Sequence, residues 1–262
     1  MTSNLLYDIR SLAERAGVEA MRFYNNRNTV TLKQDSSPLT DADRASHELI
    51  VQALPQLLAG VPVISEESKD ATVAPTANRF WLVDPLDGTK EFLKGTGEFT
   101  VNIALIEQGR PILGVVHAPA VGLTYYAALD HGAFRQTQGQ AAVSIKSQRY
   151  NSAQPRVVAS KDHAGPLVQA MLSRLPKAEL KSMGSSLKFC LVASGDADIY
   201  LRDVPTMEWD TAAAQCVVEA AGARLLTLES EPLRYGKEGL KNPSLITVGD
   251  PSVDWQPLLK RP

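Results

Sequence analysis

The 262-residue sequence is poor in cysteine and lacks long apolar runs. Its two cysteines, Cys190 and Cys216, each lie in an Ala/Val/Leu-rich helical pattern, which is typical of reduced core thiols rather than of a disulfide or a metal knuckle. No apolar run approaches the roughly 20 residues that span a bilayer, and residues 1–10 lack the pattern of a signal peptide. We therefore expect a cytoplasmic protein with no transmembrane segment.

The chain also lacks an excess of charge of either sign, and it has no internal repeat or low-complexity tract. Its 27 Lys and Arg residues against 29 Asp and Glu residues give a net charge of −2, which provides no global field for attracting nucleic acid or anionic lipid. Hydrophobic residues at 44% and charged residues at 21% are typical of globular domains and exclude disorder. We expect no nucleic-acid partner, and any anionic ligand must be held by local contacts.

The hydrophobic pattern changes part-way along the chain. Helical spacing predicts an amphipathic helix over 4–24, and strand-like segments between turn residues predict an antiparallel meander over 99–128. Strand-like and helix-like stretches then alternate, which is typical of an α/β unit. A polar region around Tyr150 separates the two patterns, so we predict an α+β half over 1–150 and an α/β half over 151–262.

The most informative stretch chemically is Asp84-Pro85-Leu86-Asp87-Gly88-Thr89, where two carboxylates follow an apolar run. Gly88 would let the backbone approach a ligand closely, and the N–H groups of a helix starting there would point at an anion. A site for metal and phosphate is one interpretation. A turn in which Asp87 accepts backbone N–H bonds is the other, and the spacing alone does not choose between them.

Acidic residues at three further places fit the same picture. Asp43 falls in the first turn of a helix predicted over 42–54, Glu66 ends a short apolar run, and Asp210 starts an Ala-rich helix. Taken alone, Asp43 would be a helix residue favoured by the dipole and Asp210 would be an N-cap. We interpret Glu67 as a solvated surface charge.

The order and spacing of these elements resemble the signature of the lithium-sensitive, magnesium-dependent phosphatases, a family that includes inositol monophosphatase, fructose bisphosphatase and 3'(2'),5'-bisphosphate nucleotidase. The matching elements are Asp43, Glu66-Glu67, Asp84 to Thr89, and Trp209-Asp210-Thr211-Ala212-Ala213. Two longer stretches, 84–104 and 184–202, are more similar to the bacterial bisphosphate nucleotidases. The resemblance implies an α/β fold, an αβαβα layered sandwich with the site between its two halves.

The resemblance also implies roles for individual residues. The implied Mg²⁺ ligands are Glu66, Asp84, Asp87, Asp210 and the backbone carbonyl of Leu86. Such carboxylates would repel one another without cations, and Mg²⁺ prefers oxygen ligands. The Asp43 carboxylate and the Thr89 hydroxyl are the implied catalytic pair, which orients and helps to deprotonate the attacking water. The implied substrate contacts are Glu66, Leu86, Asp87, Gly88, Thr89, His163, Ser185, Lys188, Arg202 and Asp210.

The implied activity is Mg²⁺-dependent removal of the 3'-phosphate from adenosine 3',5'-bisphosphate to give AMP, with the sulfated relative PAPS as a further substrate. Lys90-Glu91-Phe92 and the stretch 188–202 favour this nucleotide substrate over an inositol phosphate, the first alternative. The second alternative is a non-catalytic regulator associated with RNA polymerase, which the intact metal signature disfavours. The sequence leaves open the oligomeric state, for which we assume a monomer, and peripheral attachment to the inner membrane.

Overall fold

The computed structural model describes residues 2–24, 30–32, 38–68, 75–159 and 165–260. The helices are α1 (Thr2–Tyr24), α2 (Asp41–Leu57), α3 (Thr89–Lys94), α4 (Pro166–Ser173), α5 (Leu187–Ala193) and α6 (Ala212–Ala220). The strands are β1 (Val30–Leu32), β2 (Pro38–Thr40), β3 (Val63–Ser65), β4 (Arg79–Asp87), β5 (Thr100–Glu107), β6 (Arg110–Ala118), β7 (Leu123–Ala128), β8 (Gly132–Thr137), β9 (Val143–Ile145), β10 (Arg156–Ala159), β11 (Glu179–Ser182), β12 (Ile199–Arg202), β13 (Thr206–Met207), β14 (Arg224–Thr227), β15 (Lys241–Asn242) and β16 (Leu245–Val248). None of the helices in these ranges is long and apolar enough to cross a bilayer.

The larger sheet contains seven strands in the order β3-β4-β5-β6-β7-β8-β9, in which β3 and β4 are parallel and the other neighbours are antiparallel. The helical spacing of apolar residues on α1 packs Leu6, Ile9 and Leu12 with α2 against one face of this sheet, where Trp81 and Val83 are fully buried. The predicted first helix and the meander β5-β6-β7 are confirmed. The sequence analysis did not predict β9, because its three residues lie inside a polar region.

The smaller sheet contains five strands in the order β11-β10-β12-β16-β14. Strand β10 is parallel to both neighbours, whereas β16 is antiparallel to β12 and β14. Helix α4 and the side chains of Trp255 and Leu259 cover its outer face. The alternating strands and helices predicted for this half of the chain are confirmed.

Helices α5 and α6 lie between the two sheets, which completes the αβαβα sandwich expected from the sequence. One continuous core joins residues of both sheets to these helices, and it includes the buried, free thiols of Cys190 and Cys216. The larger sheet ends at Ile145 and the smaller one begins at Arg156, on either side of Tyr150. Because the two halves share this core, the division at Tyr150 stays a prediction about chain organisation rather than an observed boundary.

Candidate active site

Strand β4 presents the first two carboxylates of the site through a bulge. Its register against β5 pairs Asp84 with Asn102 and then Asp87 with Thr100, with an irregularity between the two pairs. The sequence analysis placed both acidic residues after the strand, but β4 continues through Asp87. A bulge bends a strand and redirects its side chains. The otherwise apolar β4 can therefore direct two acidic side chains into the site.

Asp84 is deeply buried, with 1% of its surface exposed. Its Oδ1 accepts a hydrogen bond from the Leu86 N–H at 3.0 Å. Burial raises the pKa of Asp84 well above its ordinary value, and the negative charges of Glu66, Asp87 and Asp210 raise it further. The predicted metal ligands therefore act on one another electrostatically.

Asp87 is held almost entirely by donors from other elements. Its Oδ2 accepts the Ser186 N–H at 2.6 Å and the Ser186 hydroxyl at 2.8 Å. Longer contacts reach the same oxygen from the Thr100 hydroxyl at 3.4 Å and the Asn102 amide at 3.5 Å. These bonds connect β4 and β5 to the chain entering α5, so they join the two halves of the protein at the site.

Asp210 does not cap the Ala-rich helix, so the N-cap interpretation is wrong. It ends a 3₁₀ turn, Glu208–Asp210, and Thr211 occupies the N-cap position of α6. Its Oδ2 accepts the Met207 N–H at 2.9 Å and thereby closes that turn. Burial and the charges of Asp87 and Glu66 raise the pKa of Asp210 to about 8, against the opposing effect of Arg202.

The turn that carries Asp210 is anchored by Glu208, which is fully buried. Its carboxylate accepts the Gly236 N–H at 2.6 Å and the Lys237 ammonium at 2.5 Å. The sequence analysis missed this pair because nothing in the spacing of Glu208 and Lys237 indicates that they meet. The fully buried Glu208 carboxylate is fixed by these hydrogen bonds and by the partly exposed Lys237, so it holds the turn in place for Asp210.

Glu66 follows β3, and its N–H donates to the Val83 carbonyl at 3.1 Å, next to Asp84. Glu67 is partly exposed, and its interpretation as a solvated surface charge stays a prediction. Both residues lie where the parallel pair β3 and β4 delivers its carboxyl ends to the same edge of the sheet. This topology explains why acidic residues at two distant places in the sequence meet.

The donor chemistry of this cluster fits an oxygen-preferring divalent cation. Within the described residues no three acidic, His or Cys side chains are close enough to form a ready-made cage. The burial of Asp84 and the raised pKa values of Asp84 and Asp210 nevertheless identify carboxylates that are destabilised by one another. Positive charge would relieve that repulsion, and carboxylate and carbonyl oxygens are the ligands that Mg²⁺ takes.

The predicted position of Asp43 in the first turn of a helix is confirmed, and Asp43 also forms a reciprocal cap of α2 with Thr40. The Thr40 N–H donates to Asp43 Oδ2 at 2.7 Å, and the Asp43 N–H donates to the Thr40 hydroxyl at 3.4 Å. The Thr89 hydroxyl, in the first turn of α3, donates to the Leu86 carbonyl at 3.4 Å. The joint catalytic role of Asp43 and Thr89 stays a prediction.

A cleft of about 210 Å³ opens beside the carboxylates. Its walls include the predicted contacts Asp87, Gly88, Ser185, Lys188, Arg202 and Asp210. His163 lies outside the described residues. Gly88 has φ +90°, and a Cβ there would be 3.2 Å from both the Glu98 carbonyl and the Ser185 Cβ, so this turn requires glycine.

Two cations in this cleft, the buried Lys188 and the partly buried Arg202, have no carboxylate partner among the described residues. Lys188 is 5% exposed, and among the described residues neither it nor Arg202 forms an ion pair. The Nε of Arg202 is also buried without a hydrogen-bond partner. Burial lowers the pKa of Arg202, but Tyr200 and the charges of Asp210 and Asp87 outweigh it and leave that pKa raised. Buried cations that lack protein anions are suited to an anionic ligand.

Tyr200 connects these two cations and was missed in the sequence. Its ring lies 5.7 Å from the Lys188 Nζ, and it is close enough to Arg202 to raise the pKa of that guanidinium. Tyr200 and Arg202 are two apart on β12, so they share one face of the strand. That alternation was the available signal.

A separate cavity of about 360 Å³ lies between α1 and strands β6 to β8. Arg10, His117 and Gln136 are among its lining residues, and none of the predicted site residues reaches it. The chemistry indicated by the carboxylates and cations therefore belongs to the smaller cleft.

The model of the Inositol monophosphatase family matches residues 3–250 of the chain. The chain belongs to the inositol monophosphatase family. It is 44% identical over 249 residues to 3'(2'),5'-bisphosphate nucleotidase CysQ of Salmonella typhimurium, covering 93% of this chain and 100% of the relative. It is 34% identical over 264 residues to the protein of the same name from Haemophilus influenzae, covering 99% and 98% of the two chains.

Solved structures of the inositol monophosphatase family share the fold. CysQ from Bacteroides thetaiotaomicron superposes with a TM-score of 0.81 at 37% identity, covering 94% of this chain and 97% of the other. An IMPase from Thermotoga maritima superposes with a TM-score of 0.76 at 23% identity, covering 93% and 91%, and this match supports the fold alone.

Proposed function

We propose that this protein is a Mg²⁺-dependent phosphatase that hydrolyses the 3'-phosphate of adenosine 3',5'-bisphosphate to AMP, and that it also converts PAPS to adenosine 5'-phosphosulfate. The observation that carries the proposal is that the acids Asp87 and Asp210 and the cations Lys188 and Arg202 line the same cleft. The acids suit metal ions, whereas Lys188 and Arg202 suit a second anionic group beyond the reacting phosphate.

The reaction transfers the 3'-phosphoryl group to water. The water oxygen bonds to phosphorus, the bond from phosphorus to the ribose O3' breaks, and O3' takes up a proton. Bound Mg²⁺ would activate the water and neutralise charge on the phosphoryl and leaving oxygens. We assign the ions to Glu66, Asp84, Asp87, Asp210 and the Leu86 carbonyl.

The chain's own residues would orient the reactants. Asp43 is 2% exposed, and its tie to Thr40 fixes its carboxylate in the first turn of α2. We assign Asp43 and the Thr89 hydroxyl to holding the attacking water and accepting its proton. Arg202 and Lys188 would bind the 5'-phosphate and so hold the 3'-phosphate in line for attack.

The nucleotide substrate is supported by the names of the relatives and by the cleft. The CysQ proteins that match over nearly the whole chain are named as 3'(2'),5'-bisphosphate nucleotidases. An inositol monophosphate has no second phosphate with which to pair the buried Lys188 and the partly buried Arg202. Leaving them unpaired would cost binding energy, so the site should favour a bisphosphate.

The test is a substrate panel measured by phosphate release with Mg²⁺ and with EDTA. We expect kcat/KM for adenosine 3',5'-bisphosphate to exceed that for inositol 1-phosphate by at least ~100-fold, or about 2.7 kcal/mol. Equal rates on both would reject the nucleotide assignment and retain only a metal-dependent phosphatase. No phosphate release from any phosphomonoester would instead favour a non-catalytic role.

A further inference from the structure

Ser186 joins acidic residues from the two halves of the protein. It is 1% exposed, and its N–H and hydroxyl lie 2.6 and 2.8 Å from Oδ2 of Asp87. The same hydroxyl lies 2.7 Å from the backbone carbonyl of Asp210. Asn102 donates to the Ser186 oxygen at 2.9 Å. One small side chain therefore contacts the β4 end, strand β5 and the turn before α6.

The hydroxyl does not have the usual task of a serine in its position. Ser186 is the N-cap residue of α5, where a serine side chain commonly accepts a backbone N–H of the first turn, but its side chain makes no such bond. It is directed instead at Asp87 and Asp210. Since a serine has one hydroxyl proton and Asn102 already donates to the oxygen, that proton is divided between these two acceptors.

The backbone leading to Ser186 is shaped for this contact. Ser185 has φ +45°, a left-handed conformation that is uncommon for a serine. A Cβ at Gly184 would be 2.7 Å from the Glu98 carbonyl, so this chain lies directly against the N-terminal half. A strained, closely packed turn persists when surrounding bonds over-determine it, and the Ser186 bonds are among those.

We propose that Ser186 is a positioning residue that aligns Asp87 and Asp210 for metal binding. This inference rests on the proposed function, in which both are metal ligands. All the Asp87 contacts described above fall on Oδ2, so the donors set the rotation of the carboxylate about that oxygen. Removing partners that orient a metal ligand typically weakens metal affinity 10- to 100-fold.

The variant Ser186→Ala tests the contribution of the hydroxyl alone, because it retains the backbone N–H that donates to Asp87. We expect titration calorimetry with MgCl₂ or MnCl₂ alone, on the substrate-free protein, to show about 10-fold weaker binding than wild type. The variant loses the hydrogen bonds of the hydroxyl to Asp87, the Asp210 carbonyl and Asn102, so Tm in EDTA should fall by a few degrees while the protein stays folded at the temperature of the titration. Ser186→Thr, which keeps a hydroxyl, should recover most of the metal affinity.

The matched control is Thr247→Val. Thr247 is fully buried in the same half, on β16, and its Oγ1 has no hydrogen-bond partner among the residues that the structure describes. The Thr247→Val protein should bind metal with the same affinity as wild type. Equal weakening in Thr247→Val and Ser186→Ala would overturn the proposal, because any buried hydroxyl would then have the same effect.

Two further outcomes are decisive. Unchanged metal affinity in Ser186→Ala with a raised KM for the nucleotide would overturn the proposal and place Ser186 on the substrate. Weaker metal binding with kcat restored at high Mg²⁺ would support it. The calorimetry contains no nucleotide, so it tests Ser186 independently of the substrate. If wild type bound Mg²⁺ but did not hydrolyse adenosine 3',5'-bisphosphate, the substrate assignment would be rejected and the role of Ser186 would be unaffected.

Discussion

Gly114 on β6 lies directly against Ala213 on α6: a Cβ at Gly114 would be 2.3 Å from the Ala213 carbonyl oxygen and 2.8 Å from the Cys216 Cβ. The helix therefore rests on the backbone of the larger sheet, and any side chain at Gly114 would push it away. Because α6 begins two residues after Asp210, this close approach also sets how far Asp210 extends into the site.

Gly114→Ala should destabilise the protein and displace Asp210. Overpacking of a core contact costs about 1–3 kcal/mol, so we expect Tm to fall by several degrees in thermal unfolding and Mg²⁺ affinity to fall with it. Gly249→Ala is the control, since a Cβ there would meet its nearest atom at 3.5 Å and no positive φ is needed. A Gly114→Ala protein as stable as Gly249→Ala would contradict this packing argument.

Asp84→Asn should abolish activity without unfolding the protein. The amide oxygen can still accept the Leu86 N–H, and the change removes a buried negative charge, so stability in EDTA should hold or rise. We expect kcat to fall by at least ~1000-fold, because metal ions contribute several kcal/mol to phosphoryl transfer. The exposed Asp130→Asn should keep full activity. Near-normal turnover of Asp84→Asn at saturating Mg²⁺ would exclude Asp84 as a ligand.

His117 should make the fold sensitive to mild acid. Burial lowers the pKa of His117 from 6.5 to about 4, while its Nδ1 lies 2.9 Å from the Thr124 hydroxyl. Between these two pH values the unfolded chain binds the extra proton and the folded chain does not. Stability is therefore intact above about pH 6.5 and declines as the pH falls toward 4, by up to ~3 kcal/mol from this group.

The measurement is urea unfolding of wild type and His117→Gln from pH 7.5 to 4.5. The variant has no imidazole at position 117 to protonate. As the pH falls, its free energy of unfolding should therefore rise relative to that of wild type. His131→Gln, at an exposed position, should follow wild type. A difference that stays constant with pH would show that His117 does not resist protonation.

The first helix and the meander were predictable because these elements carry strong local signals, whereas the layered sandwich was implied by the family resemblance. The apolar stripe of α1 and the regular turns between β5, β6 and β7 identify them without tertiary information. Strand β9 was not predictable, since its edge position needs little apolar surface. The strand extension through Asp87 was missed because a bulge depends on pairing with β5, which a local pattern does not contain.

The candidate site was only partly predictable for a similar reason. Acidic residues after apolar runs indicated Asp84 and Asp87, but burial of a lysine is decided by the neighbouring layers, and nothing local marks Lys188 as buried. Ser186 looked like an ordinary residue at a helix start. Its role depends on Asp87 and Asp210, which are distant in sequence and meet only through the packing of the two halves.

Arg202→Ala should narrow the preference for nucleotide over inositol phosphate. Its side chain is partly buried, its Nε has no hydrogen-bond partner, and no carboxylate of the described residues pairs with it, so a phosphate of the substrate is the partner that suits it. We expect kcat/KM for adenosine 3',5'-bisphosphate to fall by about 10- to 100-fold, the value of a charge-assisted contact, and that for inositol 1-phosphate to change little.

Mg²⁺ affinity distinguishes this effect from damage to the metal site. Arg202 is not a proposed ligand, so calorimetric binding of Mg²⁺ to Arg202→Ala should match wild type. Arg224→Ala, an exposed arginine on β14, should change neither substrate. Equal loss of activity on both substrates in Arg202→Ala, with Mg²⁺ affinity unchanged, would show that Arg202 acts on the reacting phosphate, which both substrates share. The preference for a bisphosphate would then depend on another residue of the cleft, and the buried Lys188 would be the remaining cation.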